Sequence, residues 1–378
     1  MDMAKYSHRE RVISTFNHQE ADRIPIDLMG NASMLLDKTY LRLRDYLKLS
    51  PIPPVRTGAT ANYYDDRMLE YLDIDFRRIF LKKNPYNKIV EHKDGIFYDA
   101  WGIGFMKLGV TVNAVKHPLS MIETVEDVES YNWPKAKDMF ITDGLKQEAK
   151  NLYENTDYAL VARNPLSEGF LERSSNLMGM EEFYINLLEN PAVCKSIIAH
   201  LLDIYKGVYS MFLDAVGPYV QMVEVGDDLG GKDNLLISPE MYREFIKPAE
   251  MELYSVIHEK APKAALFHHT DGAVFELIPD LIDVGVNILN PVQTSAKGME
   301  AHRLKEAYGK SIVFHGAIEN IEGDVSTTNI ISEIKQRIDA LSPGGGYVLS
   351  CCNHMIDVKP ENIITMFKTA KEYCCHKK

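Results

Sequence analysis

Short, largely apolar runs alternate with helix-patterned segments along most of the chain, and this alternation limits the fold more than any other feature. The runs are D-R-I-P-I-D-L-M (22–29), I-D-F-R-R-I-F-L-K (74–82), Y-A-L-V-A-R (158–163), Y-V-Q-M-V-E-V-G (219–226), A-A-L-F-H (264–268), V-N-I-L-N-P (286–291), S-I-V-F-H-G (311–316) and Y-V-L-S-C-C (347–352). Apolar runs of this length between helical patterns read as parallel strands buried on both faces. Parallel neighbours need a crossover connection, which the helical segments supply. Eight such strands predict an α/β fold, a (β/α)8 TIM barrel in a single domain over residues 1–378. A doubly wound open sheet is the alternative.

The intervening pieces fit that frame. Residues 7–18 form an amphipathic opening helix with Val12, Ile13 and Phe16 at helical spacing. S-P-I-P-P-V (50–55) is a loop, because each proline removes a donor and fixes φ. Ser238 caps a helix over 239–259 whose first position is Pro239. The region 83–135 alternates and contains a D-G turn, which predicts a β-hairpin inserted after strand two. Beside a barrel mouth such an insertion forms part of a lid or substrate wall. Tyr98, Asp99 and Trp101 are its candidate substrate contacts; packing of the insertion against the barrel is the other use for them.

Charge and composition exclude several classes. The chain has 378 residues and a formal net charge of −12, which disfavours a nucleic-acid surface, since phosphate binding needs clustered Lys and Arg. No apolar run reaches membrane-spanning length, and the N-terminus does not read as a signal peptide. The five cysteines are odd in number and include two adjacent pairs, a poor disulfide framework; free thiols in a reducing cytoplasm are expected.

Parallel α/β folds place their chemistry past the C-terminal ends of the strands. There the fifth run reads A-A-L-F-H-H-T-D-G, which sets His268, His269 and Asp271 at a strand end. In the bland reading one imidazole is a core histidine and Asp271 caps the next helix. Other strand ends add similar groups: Glu224, Asp227 and Asp228 after strand four, Asn290 and Gln293 after six, His315 after seven, and Cys351, Cys352 and His354 after eight. Asp227 and Asp228 read equally as groups lining the site or as loop acids or a cap for the following helix, and His315 reads as a rim histidine beside the site. Of the two cysteines one faces inward, because neighbours in a strand point to opposite faces. A rim of imidazole, thiol and carboxylate matches the ligand set of zinc, which in catalytic sites takes three protein ligands and keeps one position open.

At these residues the chain resembles the uroporphyrinogen decarboxylase superfamily, whose members are (β/α)8 barrels. The resemblance runs through R-E-R-V-I-S-T-F-N-H-Q-E-A-D-R-I-P-I (9–26), G-D-D-L-G-G (226–231), L-L-I-S-P-E-M-Y-R-E-F-I-K-P (235–248), F-H-G-A-I-E-N (314–320) and G-G-G-Y-V-L-S-C-C-N-H-M-I-D-V-K-P-E-N-I (344–363). True decarboxylases of that superfamily carry R-Q-A-G-R-Y after strand one, where this chain reads M-G-N-A-S-M (29–34) without an arginine. Its zinc-dependent methyltransferases carry H-x-C-G after strand five and a cysteine after strand eight. This chain matches at His269, Gly272 and Cys352 but has Asp271 where that motif has its cysteine.

The resemblance therefore implies a zinc-dependent methyltransferase moving a methyl group between a small O-, N- or S-methyl substrate and a separate corrinoid protein. It implies zinc held by His269, Asp271 and Cys352, with Glu224 as a fourth or supporting group. Glu224, His269 and Asp271 are the expected catalytic residues; Asp228, Asn290, Gln293, His315 and Tyr98 are expected to line the substrate pocket. A homodimer is compatible with this reading. The competing expectations are a metal-independent decarboxylase using His269 and Asp271 as an acid/base pair, and a corrinoid- or ligand-binding protein without catalysis.

Overall fold

The computed structural model describes residues 6–56, 60–86, 90–91, 94–109 and 111–375. Seven parallel strands form one sheet: β1 (Phe76–Ile79), β2 (Ala159–Ala162), β3 (Met222–Gly226), β4 (Ala265–His269), β5 (Ile288–Val292), β6 (Val313–Ile318) and β7 (Tyr347–Cys351), each hydrogen-bonded to the next in chain order. Helices connect them, among them Pro191–Val216 before β3, Lys247–Lys260 before β4 and Thr327–Leu341 before β7. The eighth stave is shorter than the sequence predicts. Ile26 makes only an isolated parallel bridge with Leu349. Even so, the segment joins the two sheet edges: Asp27 N–H donates to Leu349 O (3.0 Å), Leu349 N–H to Pro25 O (3.0 Å), and Asp75 N–H to Ile26 O (3.1 Å). Pro25 has no N–H to extend the ladder, and Ile26 N–H is taken by the Asp75 carboxylate at 2.8 Å. The result is a closed TIM barrel.

Strand periodicity then divides the barrel interior by height. Phe76, Met222, Phe267, Ile288, Val313 and Val348 form one inward apolar cluster, and Val12 of the helix His8–Phe16 joins it from below. Two residues further along the same strands, on the same face, stand Arg78, Glu224, His269, Asn290, His315 and Ser350. The bottom of the barrel is thus hydrophobic and its C-terminal end polar. The opening helix serves as the plug. Val12 is buried as expected, whereas Ile13 is exposed.

The helix expected over 239–259 changes pitch inside. Pro239–Met241 is α, Tyr242–Ile246 is a π turn, and Lys247–Lys260 is α again. Pro248 lacks the N–H that an α-helix would offer to the carbonyl four residues earlier, a sufficient cause for the local widening. The helix expected from 273 begins as a 3-10 turn, Phe275–Leu277. The hairpin expected after β1 is part of a larger four-stranded antiparallel meander, Val90–Glu91, Ile96–Tyr98, Gly104–Leu108 and Thr111–Lys116. Trp101 anchors it, buried beneath the Arg173 guanidinium at 4.8 Å and edge-on to Tyr205. His92 and Lys93 in this region, and the side chains of Cys374 and Cys375, lie outside the described residues. Among the described residues no helix is long and apolar enough to cross a membrane.

Candidate metal centre

The end of β4 settles which histidine faces the barrel. His268 points outward into the helix layer, fully buried, with its Nδ1 2.9 Å from the Tyr254 hydroxyl. Tyr254 in turn donates to Glu250 at 3.1 Å, and Tyr242 donates to the other oxygen of the same carboxyl. Burial pushes the His268 imidazole down to about 3, so the ring is neutral. It is the core histidine of the bland reading. His269, on the opposite face, reaches the mouth.

There His269 meets two carboxylates. One ligand atom each from Asp228, His269 and Asp271 lies within 4.8 Å of the others, the one such group among the described residues. His269 Nε2 is 3.7 Å from Asp228 Oδ1, and that oxygen also accepts the Asp271 N–H at 3.0 Å. The loops after β3 and β4 can approach this closely because glycines face each other. Gly272 has φ +85°, and a Cβ there would lie 2.4 Å from Gly231 O. The G-D-D-L-G-G and H-T-D-G motifs are therefore two halves of one contact. Gln293 adds a clamp: its Oε1 accepts Gly272 N–H at 2.8 Å and its Nε2 donates to Asp271 Oδ1 at 3.1 Å.

The site carries more negative charge than its surroundings neutralise. Burial and then Asp228 push Asp271 up to about 6, against the pull of His269. Glu172, in the first turn of the helix Phe170–Met178, is pushed up to about 8 by burial, Asp228 and Glu168. Asp227 is a helix cap, although of the helix after β2 rather than the one that follows it. Its oxygens accept Leu171 N–H (2.6 Å) and Glu172 N–H (3.0 Å). Buried carboxyls raised towards neutrality by neighbouring carboxylates are what a divalent cation would relieve.

The donor set fits such an ion. One imidazole nitrogen and two carboxylate oxygens make three protein ligands with an open side, the count of a catalytic zinc site. Bonds of about 2.1 Å to a tetrahedral zinc would need the donors about 3.4 Å apart, so the trio would close in from a spacing of up to 4.8 Å. Without thiolate the set is harder than that of the methyltransferase motif.

The other expected residues are placed differently. Glu224 lies below the trio, held by Arg78 Nε (3.2 Å) and Arg163 Nη1 (2.8 Å). Its oxygens are occupied, and Asp228 stands beside His269 and Asp271 instead. Cys352 faces inward by strand alternation, but its buried thiol donates to Val292 O at 3.1 Å, and burial raises it well above the ordinary range. Cys351 faces outward against Met366. Asn290 holds His269 Nδ1 at 2.8 Å, and His315 is buried behind it. His354 stands exposed and accepts Met34 N–H at 3.3 Å. Tyr98 pairs across the meander with Gly104, and Asp99 caps the turn through Trp101 and Ile103 N–H.

Sequence reading passed over Asp27, Arg78, Arg163 and Glu172. A signal existed for one of them. F-R-R-I, the whole of β1, is buried throughout, and an arginine inside a barrel strand must find carboxylates. Arg78 finds two, Asp27 (2.9 and 2.6 Å) and Glu224. Gly30 leaves room for this pair, since a Cβ there would sit 2.1 Å from Arg78 Nη2.

A groove of about 690 Å³ opens beside this rim, lined by Tyr184, Leu236, Ile237, Ala273, Phe275 and Arg303 among others. Ala273 follows Asp271 by two residues, so the groove adjoins the trio without containing it.

One solved structure and one family model bear on the architecture. No curated protein matches the sequence. Among solved structures, a methyltransferase from Methanosarcina mazei superposes with a TM-score of 0.65 at 16% identity, over 98% of this chain and 99% of that one. Native xylanase 10B from Thermotoga maritima reaches a TM-score of 0.39 at 12% identity, over 64% of this chain and 83% of the other. The family model described as uroporphyrinogen decarboxylase (URO-D) matches residues 108–373. That match takes in more than half of the sequence, from the meander to the closing helix, and the chain belongs to the uroporphyrinogen decarboxylase family.

Proposed function

We propose that this protein is a zinc-dependent methyltransferase that moves a methyl group between a small methylated substrate and a corrinoid carried on a separate protein. The observation that carries the reading is the Asp228–His269–Asp271 trio at the C-terminal rim of the barrel. Two further points support it. The stretch after the first stave, Met29–Met34, has no arginine to receive the many carboxylates of a porphyrinogen. The structural neighbour of highest TM-score named above is a methyltransferase, although at 16% identity the likeness is one of fold.

Zinc held by the trio would supply a Lewis acid for the substrate heteroatom, making it a better leaving group. The chain's own residues prepare for this. Asn290 fixes the plane of the His269 ring, and Gln293 fixes the Asp271 carboxylate, so neither ligand must be ordered on binding. Asp228 and Asp271 together would balance the charge of a divalent ion. The apolar lower barrel closes the site from beneath and keeps water to the mouth.

The test is methyl transfer to free cob(I)alamin from a panel of methyl ethers, methylamines and methyl thioethers, followed by the loss of the cob(I)alamin absorbance. Zinc-dependent formation of methylcobalamin from one donor class is the expected result. Zinc-independent release of carbon dioxide from a carboxylic acid substrate would instead establish the decarboxylase reading of His269 and Asp271.

A further inference from the structure

A line of hydrogen bonds runs from His269 down into the barrel, and its direction can be worked out. His269 Nδ1 is 2.8 Å from Asn290 Oδ1, Asn290 Nδ2 is 2.8 Å from His315 Nδ1, and His315 Nε2 is 2.9 Å from Asp27 Oδ2. Asp27, Asn290 and His315 are all completely buried, where polar groups are held to their hydrogen-bond partners. At the far end Asp27 is held as a carboxylate: against its burial, the two bonds from Arg78 and the bond from His315 keep it far below the usual carboxylate range.

An ionised carboxylate only accepts. His315 must therefore carry a proton on Nε2, and the Asn290 amide nitrogen placed 2.8 Å from its Nδ1 calls for a lone pair there. Asn290 can meet that lone pair only with its amide NH2, which turns its oxygen towards His269. The oxygen accepts, so the His269 proton sits on Nδ1. What remains at His269 Nε2 is a lone pair, and Nε2 is the atom 3.7 Å from Asp228.

We propose that Asp27, His315 and Asn290 are positioning residues that fix the tautomer of His269, leaving Nε2 unprotonated and aimed at the Asp228–Asp271 pair. The ion pair Arg78–Asp27 sets the polarity, three hydrogen bonds from the ligand it controls. The opposite polarity, with Asn290 reversed, would put the His269 proton on Nε2 and close the site to a metal. The proposal rests on the trio as a metal site for its purpose, but not for its measurement.

That measurement is the long-range 15N–1H correlation spectrum of histidine-labelled protein after chelator treatment. The expected pattern is His269 protonated at Nδ1 alone and His315 at Nε2 alone. Two variants separate relay from simple packing. His315→Gln retains a donor for Asp27 and an acceptor for Asn290, and should keep the His269 tautomer. His315→Leu breaks the line and should give a mixture, with zinc affinity in calorimetry falling about 10- to 100-fold. A wild-type spectrum with His269 protonated at Nε2, or a folded His315→Leu protein with an unchanged His269 tautomer, would overturn the relay. Should His315→Leu fail to fold, the wild-type spectrum decides alone. Correct tautomers without any zinc binding would leave the relay standing and remove the metal reading.

Discussion

The chemistry of the site turns on the protonation of one carboxyl. Asp271 lies up at about 6 because it is buried beside Asp228, and a metal ion can bind only after displacing its proton. The sign follows directly. Below about pH 6 each unit of acidification should weaken zinc binding roughly tenfold, as the proton competes for the carboxylate, and above it the dependence should flatten. Calorimetric zinc titrations between pH 5 and 8 check this; an affinity flat across that range would mean Asp271 is not a ligand. Exchange of cysteine for aspartate at this position suits the same logic. The carboxylate keeps the negative charge of a thiolate while donating through a harder atom.

At the scale of elements, two glycine-bearing loops make the site. Gly272 adopts φ +85° with its Cα face against the Gly230–Gly231 backbone, so Gly272→Ala meets both left-handed strain and a contact with Gly231 O. The cost should be about 1–3 kcal/mol, and the larger effect should be on metal affinity, because the loops carrying Asp228 and Asp271 are forced apart. Denaturant unfolding and zinc titration of the same variant check the two parts; full zinc affinity in Gly272→Ala would show that the loop contact does not set the ligand spacing.

Much at this scale could be read from the sequence. Ala264–Gly272 announced a strand ending in His269 and Asp271, and Ser238–Pro239 announced a helix start, because apolar run length and capping chemistry are local properties. The π turn at Tyr242–Ile246 was less legible: Pro248 is compatible equally with a kink, a break or a bulge. Cys352 was the harder case. Its inward orientation followed from alternation, but the Val292 carbonyl that takes its thiol lies 60 positions away in sequence. Glu224 failed to join the trio for a similar reason, since its partners are Arg78 in β1 and Arg163 just past β2.

For the whole molecule, the barrel stores a second polar network on the far side of the β4 strand. Glu250 sits among Tyr242, Tyr254 and His268, with no Lys or Arg in contact among the described residues, and burial raises it to about 7. A raised carboxyl binds its proton more tightly folded than unfolded. Stability from this group is therefore fully present below pH about 4.5 and lost as pH rises through about 7. The loss is up to about 3 kcal/mol, at 1.36 kcal/mol per pKa unit. Glu250→Gln should remove that slope and make the protein more stable than the wild type at pH 8; chemical denaturation at pH 5 and pH 8 tests it, and an unchanged slope would contradict the assignment. The closed barrel itself was legible as a count of strands. Its closure was not, because the first stave bonds through the Asp75 side chain and a single bridge to Leu349 instead of a regular ladder.

Metal binding by the trio is the property on which the proposed chemistry depends. Chelator-treated protein titrated with zinc in a calorimeter, beside the Asp271→Asn and Cys352→Ser variants, addresses that directly. One zinc per chain in the wild type, abolished in Asp271→Asn and little changed in Cys352→Ser, is the predicted result. No zinc uptake by the wild type, or uptake lost with Cys352 and kept without the Asp271 carboxylate, would contradict it.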